Sequence, residues 1–173
     1  MSVIIRPVSH EETEQLRSLA EYTFRIAWEH MNDPADFETY CRENFTADGF
    51  ESAMNTEDAR FFFATENDSL IGYFKLNYGR LQADWPEKES AVQLERIYVV
   101  PGQQGKGIGK QMLDFTEKEA IRTGHSWVWL SVWQAAPRSI QFYEKNGYQI
   151  FGTEVFQVGS DAQLDWVMKK RIA

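Results

Sequence analysis

At 173 residues, 43% of them hydrophobic and 14% aromatic, the chain has the size of one domain and ample apolar material for a core, so a single domain over residues 1–173 is expected. No run approaches the ~18 to 20 apolar residues of a membrane span, and the first residues carry no basic stretch followed by an apolar signal core, which sets membranes aside and points to a cytoplasmic protein. The net charge of −8 is split, with eighteen acidic and eight basic side chains in residues 1–90 against eight and ten in residues 91–173, and an acidic half without a basic stripe argues against nucleic acid.

Along the chain, Met1 to Val8 reads as a strand, and Ser9-His10-Glu11-Glu12 starts a helix with acidic residues in its first turn. Helical patterning continues to about Met31, breaks at Asn32-Asp33-Pro34, and resumes from Ala35 to about Met54. Phe61 to Thr65 and Leu70 to Tyr78 form a hairpin around Glu66-Asn67-Asp68-Ser69. Residues 79 to 91, with Trp85-Pro86, make a long surface loop whose length marks it for substrate contact. A strand over 92 to 100 leads into a helix ending near Thr123, a strand over 126 to 133 and a short helix beginning near Pro137. Strands over 148 to 157 and 163 to 170 close the chain. The expected fold is α/β, a mixed sheet of about seven strands with helices on its faces. Cys41 is the lone cysteine and can form no internal disulfide, which suits a reducing compartment. His10, His30 and His125 show no ligand spacing, so no metal is expected.

Gln104-Gly105-Lys106-Gly107-Ile108-Gly109 stands between the strand that ends at Pro101-Gly102 and a helix whose apolar stripe includes Ile108, Met112 and Phe115. In a strand, glycine loop, helix order, the free N–H groups of the first helical turn face the loop and favour an anion. A P-loop requires G-x-x-x-x-G-K-[ST], but Ile108-Gly109 follows Gly107 where Lys and Ser/Thr are needed. A dinucleotide fingerprint starting at Gly105 would place its third glycine on Lys110. What remains is Q-x-x-G-x-G at Gln104, Gly107 and Gly109, with Phe142-Tyr143-Glu144-Lys145-Asn146-Gly147-Tyr148 downstream.

These two segments resemble the pyrophosphate signature and the closing F-Y-x-x-x-G-[FY] segment of the GCN5-related N-acetyltransferases, and the likeness can be followed along essentially the whole chain from Ile4-Ile5-Arg6-Pro7-Val8. The resemblance implies acetyl-CoA as cosubstrate, a sheet splayed around it, and transfer to an amine by direct attack in a ternary complex. It gives Gln104, Gly105, Lys106, Gly107, Ile108, Gly109 and Lys110 to the cofactor phosphates, with Lys145 as a further point charge. It gives the backbone of Ile97, Tyr98 and Val99 to the pantetheine arm and the thioester carbonyl. Tyr143 matches the tyrosine that protonates the departing thiolate, although a core aromatic at the end of a short helix is an equal structural reading. Ala136 stands where relatives often place an asparagine against pantetheine, so that contact is lost or passes to Gln134 or Ser139. A homodimer is common for this fold and is suggested here by the resemblance alone.

A primary amine, with a pKa near 10.4, must lose a proton before it attacks. Glu95 shares strand parity with Ile97 and Val99, where a lone carboxylate among apolar neighbours would have a raised pKa, and it is the first candidate base. Pairing with Arg96 is its alternative role, and Glu87 and Glu89 are competitors. Within the superfamily, Phe61-Phe62-Phe63-Ala64, Ile71-Gly72-Tyr73-Phe74-Lys75-Leu76-Asn77, Leu94-Glu95-Arg96-Ile97-Tyr98-Val99 and Val158-Gly159-x-x-x-Gln163-x-Asp165 resemble the PaiA-like polyamine N-acetyltransferases. That resemblance implies spermidine or spermine as the small-molecule partner, and an acidic half suits a polycation. Glu29, Asp33, Asp36 and Glu38 are candidates to meet it, with cation-π contacts from Trp28 and Tyr40. Another amine, such as an aminoglycoside or a peptide N-terminus, and a coenzyme A-binding module without turnover are the alternatives.

Overall fold

A computed structural model describes residues 3–79, 85 and 90–173. Seven strands form one mixed sheet in the order β1-β2-β3-β4-β5-β7-β6. They are β1 (Ile4–Pro7), β2 (Ala59–Glu66), β3 (Ser69–Tyr78), β4 (Ala91–Val99), β5 (Trp127–Trp133), β6 (Gln149–Val158) and β7 (Asp161–Arg171). The helices are α1 (Thr13–Trp28), α2 (Pro34–Asn44), α3 (Ala47–Met54), α4 (Ile108–Arg122) and α5 (Pro137–Lys145), with short 3-10 turns on either side of α1. The expected continuous helical region from Ala35 to Met54 is two helices. Phe45 leaves helical geometry, and the Thr46 side chain accepts the Gly49 N–H to start α3 afresh.

Alternation along β2 and β3 explains the layering. Phe62, Phe74 and Leu76 enter the core under α4 and α5 with Ile108, Met112 and Leu113. Phe61, Phe63 and Tyr73 enter the opposite core with Leu16, Phe24, Phe37 and Phe50 from α1, α2 and α3. Gly72 permits the β3–β4 contact at this level, since a Cβ there would lie 2.7 Å from the Tyr98 carbonyl oxygen. Among the described residues, no helix is long and apolar enough to cross a membrane.

Two irregularities near the middle of the sheet place the site. The first is the only parallel pairing among the described residues, β4 with β5, which holds for Ala91–Trp127, Val92–Val128 and Gln93–Trp129 and then stops. Beyond it β5 stays with β7 as far as Trp133–Asp165, while β4 stays with β3, so the sheet splits between them. The second is a bulge on β4, where Lys75 lies opposite Arg96 but Leu76 lies opposite Leu94, leaving Glu95 as the extra residue. The bulge inverts the alternation: Leu94 and Ile97, three residues apart, both face the α4 side. Glu95 instead reaches Lys75 and Asn77 on the other side, which overturns the expected shared parity with Ile97 and Val99.

The expected surface loop over 79 to 91 lies largely outside the described residues, as do Glu87 and Glu89. Its described Trp85 is buried, edge-on to Trp127, and under the Lys169 ammonium at 4.8 Å. That is an anchoring position.

Candidate active site

The glycine loop has the geometry of an anion cradle. Gly102, Gly105 and Gly107 all have φ near +80°, a region L-residues avoid, and a Cβ on any of them would meet nothing within 4 Å. The backbone surface of the loop is therefore open. Gly107 is the N-cap of α4 and, having no side chain, leaves its first turn uncapped. The Gln111 N–H is bonded to the Gly107 carbonyl, which leaves the N–H groups of Ile108, Gly109 and Lys110 as the free donors of the helix start. No acidic side chain occupies that turn.

Next to the loop, the split sheet exposes one edge of β4. The Val100 N–H bonds to Ile71 of β3, and antiparallel alternation turns the N–H of Tyr98 the same way. The N–H and C=O groups of Ile97 and Val99 then face the split. The Val99 carbonyl accepts from Gln104 Nε2 at 3.4 Å, so Gln104 ties the loop to this edge.

A cavity of about 520 Å³ lies at the split. Ile97 and Tyr98 of β4, Ser131 to Trp133 of β5, and Ser139 and Tyr143 of α5 form one part of its wall. Trp28, Asn32 and Tyr40 from the α1–α2 region and Glu154, Phe156, Gln163 and Asp165 of β6 and β7 form another. Trp28 Nε1–H donates to the Tyr98 hydroxyl at 2.9 Å while its ring meets Trp133 edge-on. Tyr143 is buried, and burial, with the nearby Tyr98 oxygen, holds its phenol well above the ordinary tyrosine range, hence protonated. Asp165 is also buried, and burial together with the charge of Glu154, its neighbour across β6, pushes its carboxyl up to about 6.

A cavity walled by a protonated phenol and carboxylates, beside an open strand edge and an uncapped helix start, is equipped for acyl transfer from a phosphate-bearing donor. The acetyltransferase (GNAT) family model matches residues 20–148. The chain belongs to this family. It is 27% identical over 170 residues to an N-acetyltransferase of Lactobacillus delbrueckii subsp. lactis, covering 98% of each chain. It is 26% identical over 175 residues to a spermidine N(1)-acetyltransferase of Thermoplasma acidophilum, covering 99% of this chain and 98% of that one. Among solved structures it superimposes on the PaiA N-acetyltransferase of Thermoplasma acidophilum in complex with coenzyme A, with a TM-score of 0.78, 26% identity and 99% of each chain covered. As an N-acetyltransferase of this family the chain uses acetyl-CoA as its cosubstrate, and the open loop, the helix start and the free β4 edge fit that molecule.

Within this acetyltransferase, Tyr143, Glu95, Ile97 and Tyr98 line one cavity. Gln104 to Lys110 lie on the adjoining loop and helix start. Lys106 is bonded to Gln103 at 2.7 Å and Lys110 to Asp114 one turn along α4, so both ammonium groups are turned onto neighbours. Lys145 is exposed at the end of α5. Ala136, the N-cap of α5, is packed into the α4-side core, and of its two suggested substitutes Ser139 lines the cavity whereas Gln134 does not.

The acidic groups differ most from expectation. Burial raises the proton affinity of Glu95, but the Lys75 ammonium at 2.7 Å and the Asn77 amide outweigh it, and its pKa is lowered, not raised. Of the four N-terminal carboxylates, Asp33 caps α2 and Asp36 accepts from the Ser160 N–H and hydroxyl. Glu38 and Glu29 pair with Arg25. None of the four lines the cavity; among the described residues its acidic lining is Glu95, Glu154 and Asp165. Trp28 and Tyr40 do line it. Asp165 carries the signal that sequence reading passed over: a lone carboxylate at the same strand parity as buried Val167, within the apolar run Leu164 to Met168. Among the described residues, no group of three or more His, Cys, Asp or Glu side chains is placed to hold a metal ion.

Proposed function

We propose that the enzyme moves an acetyl group from acetyl-CoA to a primary amine of a polyamine such as spermidine or spermine, by direct attack in a ternary complex. The observation that carries this reading is the cavity itself, whose lining among the described residues includes the protonated Tyr143 phenol of α5 and the carboxyl groups of Glu95, Glu154 and Asp165 on β4, β6 and β7. The likeness to a spermidine N(1)-acetyltransferase of Thermoplasma acidophilum supports the substrate class.

Acetyl-CoA supplies the activated acyl group. The Gly102–Gly107 loop and the first N–H groups of α4 hold its pyrophosphate, and the outward backbone of Ile97 and Val99 aligns its pantetheine arm. A backbone N–H of that edge meets the thioester carbonyl oxygen as negative charge develops there. The amine nitrogen bonds to the carbonyl carbon, the C–S bond breaks, and Tyr143 gives its proton to the sulfur. The proton still carried by the new amide nitrogen restores the phenol. Glu95, ionised and paired with Lys75, keeps that ammonium from confronting the incoming polycation as an uncompensated positive charge.

The test is thiol release with purified protein, acetyl-CoA and a panel of amines. The expected result is turnover of spermidine and spermine well above that of aminoglycosides and peptide N-termini. Tight coenzyme A binding without turnover of any amine would leave a binding module instead.

A further inference from the structure

We propose that Asp165, not Glu95, is the residue that receives the acceptor's ammonium and takes its proton. This rests on the acetyl-transfer reading and assigns its missing base.

Asp165 is 7% exposed, its Oδ1 has no hydrogen-bond partner, and it lines the cavity. A buried carboxylate oxygen without a donor is rare in folded proteins because leaving it so costs the desolvation of a charged group. Such an oxygen is open to a donor that enters the cavity, and an ammonium N–H is the strongest kind for a carboxylate. Ser131 provides a second case: its Oγ is buried without a partner and lines the same cavity. Trp133 lies opposite Asp165 in the β5–β7 register and Val167 opposite Ser131, so both polar side chains lie on one face of the sheet, two residues apart. A carboxylate oxygen and a hydroxyl oxygen on one face form a receptor for a cationic N–H group.

The surrounding charges favour this assignment. Glu154 stands opposite Asp165 on β6, Tyr98 approaches from β4 and Tyr143 lines the cavity from α5. Farther along β4 come Glu95 and Arg96, of which Glu95 is paired with Lys75. Glu154 adds negative potential at Asp165, which strengthens its hold on a proton, whereas Lys75 weakens that of Glu95. An amine arriving as R–NH3⁺ places an N–H on Oδ1 and transfers that proton, leaving R–NH2 with a free electron pair and Asp165 as the neutral acid. Solvent takes the proton from Asp165 after the product leaves.

The experiment compares the pH profile of kcat/KM for spermidine in wild type, Asp165→Asn and Glu95→Gln. Asp165→Asn is expected to lower kcat/KM at least ~100-fold near pH 7.5, the usual scale for a general base, and to abolish the acidic limb centred near 6, with acetyl-CoA affinity unchanged. Glu95→Gln is expected to keep that limb. An Asp165→Asn enzyme that retains both rate and limb, or a Glu95→Gln enzyme that loses the limb, overturns the assignment. Should Asp165→Asn fail to fold, the carboxyl carbon of Asp165 is titrated by NMR in the wild type. Supporting behaviour is a midpoint near 6 that falls when spermidine is added, and an ordinary midpoint indifferent to spermidine refutes it. A wild type that binds coenzyme A but acetylates no amine defeats the acetyl-transfer reading itself, and Asp165 as base falls with it.

Discussion

Replacing Asp165 by Asn also has a consequence for stability that is independent of catalysis. In the unfolded chain the carboxyl titrates near 3.8, and in the folded protein burial and Glu154 move it up to about 6. Below both values the group is protonated in either state and contributes nothing to pH dependence. As pH rises through this window the unfolded chain ionises first, so the folded protein loses stability, and the loss is complete once pH is well above 6. At about 1.4 kcal/mol per pH unit the window is worth roughly 3 kcal/mol. For a chain of this length that is a shift in Tm of roughly 6 to 12 °C. Asparagine has no such titration. Burying its amide carries its own cost, but that cost is the same at every pH, so the difference between the two proteins isolates the carboxyl. The assay is urea unfolding of wild type and Asp165→Asn at intervals from pH 4 to 8. The variant is expected to gain on the wild type by roughly 2.5 kcal/mol across that range, the remainder of the window lying below pH 4. Parallel curves would refute the claim that Asp165 is buried without a compensating partner.

Two other substitutions separate the halves of the site. Tyr143→Phe keeps the buried ring and removes the proton donor, so turnover should fall ~100-fold or more while the acetyl-CoA dissociation constant stays within about twofold; single-turnover rates and calorimetry check this, and a wild-type rate excludes Tyr143 as the acid. Gly107→Ala forces an L-residue to φ +79° at the start of α4, which costs about 1 to 2 kcal/mol of stability and should weaken coenzyme A binding, read by thermal melts with and without coenzyme A. An unchanged melt and affinity would show that the loop needs no glycine there.

The glycine loop and the helix start after it were legible in sequence because their geometry is local. Gly105 and Gly107 supply the positive φ values, Ile108 and Met112 fix the buried face of α4, and all lie within one short segment. The strand order was not, since nothing in residues 91 to 99 says that pairing with β5 stops at Gln93. Glu95 was assigned the wrong face because alternation assumes a regular strand, and one bulge between Leu94 and Arg96 inverts it. Its pKa was misjudged for a related reason: Lys75 comes close only through the β3–β4 register. Charge counting could not locate the cavity's lining for the same reason, since the partners of Glu38 and Asp36, Arg25 and the β6–β7 turn, are set by the fold. The carboxylates that reach the cavity beside Glu95 lie on β6 and β7, in the half of the chain with net positive charge.

The most direct test of the account is a competition in one tube: purified enzyme, limiting acetyl-CoA and equimolar spermidine, an aminoglycoside and a peptide amine, with products resolved by mass spectrometry. Acetylspermidine as the dominant product, formed together with an equal amount of free coenzyme A, is the predicted result. A dominant acetylated peptide or aminoglycoside, or coenzyme A binding with no acetylated product, would contradict it.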